Sequence, residues 1–145
     1  MSKATENKEV LLRAWLAYDS GDEAAFAACL DPDWEEHDSR GNTGTLKDEI
    51  PTMRLHKVAF PDKHTEILRV VADDEVVALH GVVRATHTGR YFDLEPTGKK
   101  LSIPTMMFNR MKGGRILETW AMTEAAGFYE QISGRPQPAG LDNMG

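Results

Sequence analysis

The spacing of apolar residues changes near residue 60 of this chain and then holds to the end of the last strand. Up to about residue 60 they recur at helical intervals, and beyond it at every second position. Helices followed by a run of strands exclude the βαβ alternation of a doubly wound sheet. They predict an α+β fold in which helices pack on one face of a bent, largely antiparallel sheet. No self-similarity recurs at the roughly 20 to 50 residues of solenoids and propellers. At 145 residues the chain has the size of one domain, which buries roughly 68 to 70% of its unfolded surface without staples.

In the helical part, Leu11, Ala14, Trp15 and Tyr18, widened by Leu12 and Leu16, predict a helix from Lys3 to Tyr18. Asp19, Ser20 and Gly21 break it. Asp22 is an N-cap for a short Ala-rich helix expected to reach Leu30, ahead of Pro32, completing an αα-hairpin. After Trp34 the string EEHDSRGNTG reads as a short extended piece leading into a loop, and Thr45 with Asp48 makes a weak capping box for a third helix. Proline costs a helix interior about 3 kcal/mol, so a break or kink is expected at Pro51. The helix then runs toward Ala59, and Phe60, Pro61 and Asp62 end it.

The strand part comprises HTEILRVVA, a DDE turn, VVALHGVVRATHT, a turn at EPTGKK, KLSIPTMMFNRM, a tight hairpin at MKGGR, and ILETWAMTE. AAGFYEQI closes as a short helix. Residues 1–135 are expected to form the domain and 136–145, from Pro136, a flexible tail.

Charge narrows the function classes. Lys plus Arg number 17 against 23 Asp plus Glu, a net charge of -6, which repels a phosphate backbone. With no basic run or zinc-finger spacing, nucleic acid is not an expected partner. MSKATENKEV lacks a signal-peptide core and no run reaches the roughly 18 apolar residues of a membrane span, so the chain is expected to be cytoplasmic, without membrane partners. The single cysteine, Cys29, sits in AAFAACL and reads as a buried structural thiol. The histidines at 37, 56, 64, 80 and 87 show no HExxH or HxH pattern, so no metal is expected. No nucleophile elbow exists either, which leaves acid/base chemistry or plain binding.

On the long strand Val77, Leu79, Gly81, Val83, Ala85 and His87 alternate with Val76, Ala78, His80, Val82, Arg84 and Thr86. His80 and His87 therefore face opposite ways unless a bulge intervenes, and Gly81 is a plausible site for one. Strict alternation on the last strand puts Ile116, Trp120, Met122 and Glu124 on one face. A carboxyl among apolar neighbours has a raised pKa, as a general acid or base needs, which makes Glu124 the first catalytic candidate. The alternative is that Glu124 caps the following helix. His37 reads as a loop histidine, His56 and His64 as solvated, and His87 as a turn residue.

Taken in order, AYDSGD, EEHD, FPD, THTG, PTGK, GGRI and W-x-x-x-E-x-x-G-x-x-x-Q, spread over roughly Glu9 to Ile132, resemble the SnoaL-like polyketide cyclase family, which shares the nuclear transport factor two fold. The resemblance implies a cone-shaped, curved mixed sheet with N-terminal helices packed over it, enclosing a hydrophobic pocket for a planar hydrophobic substrate. It implies aldol-type acid/base catalysis without cofactor, with Glu124 at the position of the family's acid/base aspartate. His87 matches a family histidine, and His37 or His87 would orient substrate or donate to an enolate oxygen. Tyr18 matches a pocket tyrosine. Thr105 and Met107 stand where the cyclases carry Gln and His, so a different substrate is expected. Trp15, His80, Trp120 and Met122 complete the expected substrate-binding set, and a homodimer formed through exposed sheet faces is implied.

The expected function is thus a cyclase or isomerase-type enzyme of secondary metabolism acting on a polyketide-like or other hydrophobic carbonyl compound. A noncatalytic binding module of the same fold is the alternative, and an epoxide hydrolase a weaker one.

Overall fold

The first helix begins where Ser2 can cap it. In the computed structural model, which describes residues 1–123 and 127–138, the Ser2 hydroxyl accepts from the Thr5 N–H and α1 (Lys3–Ser20) follows. Gly21, at φ 75°, closes it in the left-handed conformation that glycine adopts without penalty. Asp22 caps α2 (Glu23–Ala28). This helix is shorter than expected: Leu30 already belongs to a strand, β1 (Leu30–His37). β2 (Thr43–Gly44) pairs with it, and Asp48 accepts from the Thr45 N–H to open α3 (Leu46–Ala59). The expected break at Pro51 does not occur. Its ring lies on the exposed side of α3, where only one backbone donor is missing, and the helix runs through it.

The remaining elements are β3 (His64–Ala72), β4 (Val76–Thr86), β5 (Lys100–Lys112), β6 (Arg115–Thr123) and α4 (Phe128–Ser133). They complete one six-stranded sheet in the order β2-β1-β6-β5-β4-β3. Every pairing is antiparallel except β1 with β6, which is parallel. The sheet is therefore mixed, and helices pack on its inner face. No helix among the described residues is long and apolar enough to cross a membrane.

Two one-residue irregularities curl the sheet. In β3 the register jumps from Ile67 opposite Gly81 to Arg69 opposite His80, leaving Leu68 as the extra residue. The bulge thus lies one strand away from its expected place at Gly81. Gly81 is still required, because a Cβ there would come within 2.7 Å of the Glu66 carbonyl oxygen. In β6 the pairing jumps from Ile116 opposite Met111 to Glu118 opposite Arg110, so Leu117 is extra. A one-residue insertion exchanges the two faces of everything beyond it.

A buried polar chain pins the register of four strands. Trp34 Nε1 donates to Thr119 Oγ1 at 3.0 Å, Thr119 Oγ1 to Asn109 Oδ1 at 2.8 Å, and Asn109 Nδ2 to the Val77 carbonyl at 3.2 Å. Two apolar clusters flank the inner face. One gathers Leu11, Phe26, Trp34, Met53, Val77, Met107 and Ile116 under α1 and α2; the other gathers Phe60, Tyr91, Leu101, Ile103, Phe128 and Tyr129. Along β5, Ile103 belongs to the second cluster and Met107 to the first. Thr105, between them, faces a cavity.

Candidate functional site

Three elements bring polar side chains to positions that an amphipathic pattern reserves for apolar ones. On α3, Glu49, Thr52 and His56 share the inward stripe with Met53 and Ala59. On α1, Asp19 sits one turn beyond Trp15. On β1, Glu36 is two residues past buried Trp34 and faces the same way. With Lys63, Thr105, Met107, Ala121, Thr123 and Phe128 they line a cavity of about 180 Å³. Its lining is amphipathic where a hydrophobic one is expected.

The polar groups are coupled. The Tyr18 hydroxyl donates to Glu49 Oε1 at 2.5 Å, and Lys63 Nζ donates to His56 Nδ1 at 3.0 Å. The same ammonium lies over the Tyr18 ring, 4.5 Å from its centroid. An ammonium can only donate, so His56 Nδ1 is the acceptor and its proton is on Nε2. Among the described residues that Nε2 has no partner, and neither has Thr52 Oγ1. Both residues are 5% exposed. Burying a polar group without a partner costs free energy, so these two groups beside one cavity are positions where a ligand could bond.

Proton affinities are displaced accordingly. Loss of surrounding water, with the charges of Glu49 and Asp38, holds Glu36 well above the usual carboxyl range. Desolvation also raises Glu49, but the Tyr18 hydroxyl and Lys63 pull against it. Desolvation raises Asp19, opposed by Lys63. Burial, then the charge of Lys63, pushes His56 well below its ordinary value, so its imidazole is neutral. Desolvation lowers Lys63 to about 8, against Asp19 and Glu49.

Glu36 has a higher pKa folded than unfolded, so the folded state binds more protons and loses stability as pH rises above the ordinary glutamate value. Glu36→Gln is therefore expected to stabilise the fold at neutral pH, by about 0.5 to 2 kcal/mol, as removal of functional-site strain commonly does. Thermal melts at pH 4 and pH 7.5 check it, the gain appearing only at the higher pH.

The structure divides the candidates named from sequence. Trp15, Tyr18, Thr105 and Met107 line the cavity. Trp120 and Met122 do not, because the extra Leu117 turns them to the outer face while Ile116 stays in the core. His80 also faces outward, where with Met106, Phe108, Trp120 and Met122 it lines a shallow apolar cleft. His37 is on that side too, stacked on Trp120 with ring centroids 5.3 Å apart and bonded through Nε2 to Glu118 at 2.6 Å. His87 points inward but is sealed against Phe60, its Nδ1 held by Thr97. Glu124 lies outside the described residues. Glu36, Glu49, Thr52 and Lys63 were not foreseen, and His56 is buried instead of solvated; the spacing of Glu49, Thr52 and His56 around Met53 was the signal available.

Among the described residues, Glu35, His37 and Glu118 are the group whose ligand atoms could converge on a metal ion, lying within 4.8 Å of one another. They are on the outer face, and Glu118 is already engaged by Arg110 as well as His37.

Several solved structures share this fold. AclR, a candidate hydroxylase from Streptomyces galilaeus, superposes with a TM-score of 0.81 at 24% identity, over 96% of this chain and 88% of that one. IdmH, a candidate polyketide cyclase from Streptomyces antibioticus, gives 0.75 at 21% identity, over 87% and 97%. A candidate SnoaL-like polyketide cyclase from Jannaschia sp. CCS1 gives 0.79 at 15% identity, over 94% and 97%. No curated protein matches. At these identities the likeness speaks for fold, and the sequence itself supplies the rest: the profile of the SnoaL-like polyketide cyclases matches residues 9–132. This chain belongs to the SnoaL-like polyketide cyclase family.

Proposed function

We propose that the protein is a cyclase or isomerase-type acid/base catalyst that enolises a small, polyketide-like carbonyl substrate in this cavity. One observation carries the reading: two carboxyls, Glu36 and Glu49, share the cavity in surroundings that separate their proton affinities, beside a neutral histidine with a free Nε2–H. Such a separation assigns acid and base roles. Glu49, steadied by Tyr18, takes the proton from the carbon next to the carbonyl. Glu36, the stronger proton holder, returns one. His56 Nε2–H and the Thr52 hydroxyl donate to the carbonyl oxygen as it gains negative charge. IdmH and the Jannaschia protein, both described as candidate polyketide cyclases, support the substrate class.

The test is exchange of α-protons of a cyclic ketone in D2O, followed by proton NMR. Exchange by the wild-type protein that Glu49→Gln loses is expected. Glu124 follows the cavity residue Thr123 in sequence, so Glu124→Gln is run alongside. Loss there, with exchange retained in Glu49→Gln, would return the base role to Glu124.

The partner we propose is a second copy of this chain, docked through the outer sheet face. Met106, Phe108 and Met122 are 59%, 49% and 51% exposed there, an apolar concentration unusual for a solvated face. Light scattering at micromolar concentration is expected to report a dimer, and Phe108→Glu a monomer; a wild-type monomer refutes this.

A further inference from the structure

Lys63 is the cavity side chain that the acid/base scheme leaves least employed. It is 7% exposed, and its ammonium has three donors. Its contacts are one bond to His56 Nδ1 and the face of Tyr18. Among the described residues it forms no ion pair with a carboxylate; Asp19 and Glu49 act on it through space. A buried lysine kept for stability is ordinarily paired. This one instead presents an amine to a cavity that also holds a neutral imidazole able to take a proton and a carboxyl, Glu36, able to give one.

We propose that the Lys63 amine is a covalent site, condensing with the aldehyde or ketone carbonyl of a substrate held in the cavity to form an imine. The inference rests on the carbonyl-substrate reading above. The free amine attacks the carbonyl carbon, so a C–N bond forms and the C=O π pair moves to oxygen. His56 Nδ1 accepts the proton lost from nitrogen, and the new alkoxide takes the proton on His56 Nε2. The carbinolamine C–O bond then breaks, its hydroxyl leaving as water with a proton from Glu36, while the nitrogen lone pair closes the C=N bond and the Glu36 carboxylate takes back the remaining N–H proton. Amine plus carbonyl gives imine plus water, with no oxidant or reductant, and hydrolysis returns the amine.

Desolvation makes this amine unusually available. With its pKa near 8, its free-base fraction at pH 7.5 exceeds that of an ordinary exposed lysine on the order of 100-fold. Burial is opposed by the charges of Asp19 on α1 and Glu49 on α3; His56 on α3 and the Tyr18 ring are the groups in contact with the ammonium.

Pentane-2,4-dione tests the assignment without a reductant, because its imine with an amine rearranges to a stable conjugated enaminone that absorbs in the near ultraviolet. The wild-type protein is expected to gain one diketone less one water per chain. Peptide mapping is expected to place the adduct on Lys63, formed on the order of 10-fold or more faster than on exposed Lys57 or Lys100. Lys63→Arg, which keeps the charge, and Lys63→Met, which keeps the length, are both expected to lose it. Labelling of wild-type Lys63 no faster than of Lys57 overturns the proposal. That outcome leaves the acid/base reading standing if α-proton exchange is seen, whereas an adduct at Lys63 without exchange upholds the imine and removes only the acid/base reading.

Discussion

Replacing Glu49 by glutamine is expected to slow α-proton exchange by about 100- to 10,000-fold, the usual contribution of a positioned base. Glutamine has the same shape, and its Oε1 can still accept from the Tyr18 hydroxyl that now reaches Glu49 at 2.5 Å. The fold should therefore survive, and the loss should appear in kcat with KM little changed, because the contact being removed acts on the moving proton. The variant has a second signature. The charge of Glu49 is one of the causes holding Glu36 well above its usual range, so its removal should shift the remaining pH profile toward lower pH. Full exchange by the variant would remove Glu49 from the mechanism.

Gly89→Ala is expected to cost about 3 kcal/mol or more, at the upper end of overpacking substitutions, and to lower Tm by about 6 to 12 °C for a chain of this size. A Cβ on Gly89 would lie 1.9 Å from the Val58 carbonyl oxygen and 2.7 Å from its carbon. Both are backbone atoms in the last turn of α3, so no side chain can swing away. Retreat is blocked as well, since the N–H groups of Thr88 and Gly89 both donate to the Ala59 carbonyl, each at 3.1 Å. The same turn of α3 carries His56, so exchange activity should fall with stability. A wild-type melt would show that the loop can move aside.

The elements were legible wherever periodicity was long. β5 alternates buried and exposed residues over its whole length, and α1 keeps one stripe from Asn7 to Ala17. β1 was legible only past Trp34, because Asp31, Pro32 and Asp33 mask its start with residues typical of turns. The cavity was harder to read, for a physical reason. A functional side chain on an inward stripe breaks the pattern used to find the stripe, so His56 reads as a solvated position and Glu49 draws no notice on a polar helix. The resemblance supplied Tyr18, Thr105 and Met107, which pattern alone would not have singled out. The sides taken by Trp120 and Met122 were misread because a one-residue insertion carries no compositional mark.

That insertion also decides what the interior lacks. Beyond Leu117 the inward positions of β6 fall to Thr119, Ala121 and Thr123, all small, while the indole of Trp120 and the thioether of Met122 lie outside. Deleting Leu117 would bring both bulky groups back inside, and they would occupy the space that Ala121 and Thr123 leave open. The hollow is therefore encoded by chain length rather than by residue type. A solid and a hollow form of this sheet differ by one backbone unit, a distance that a single deletion could cross in either direction while almost every side chain keeps its identity.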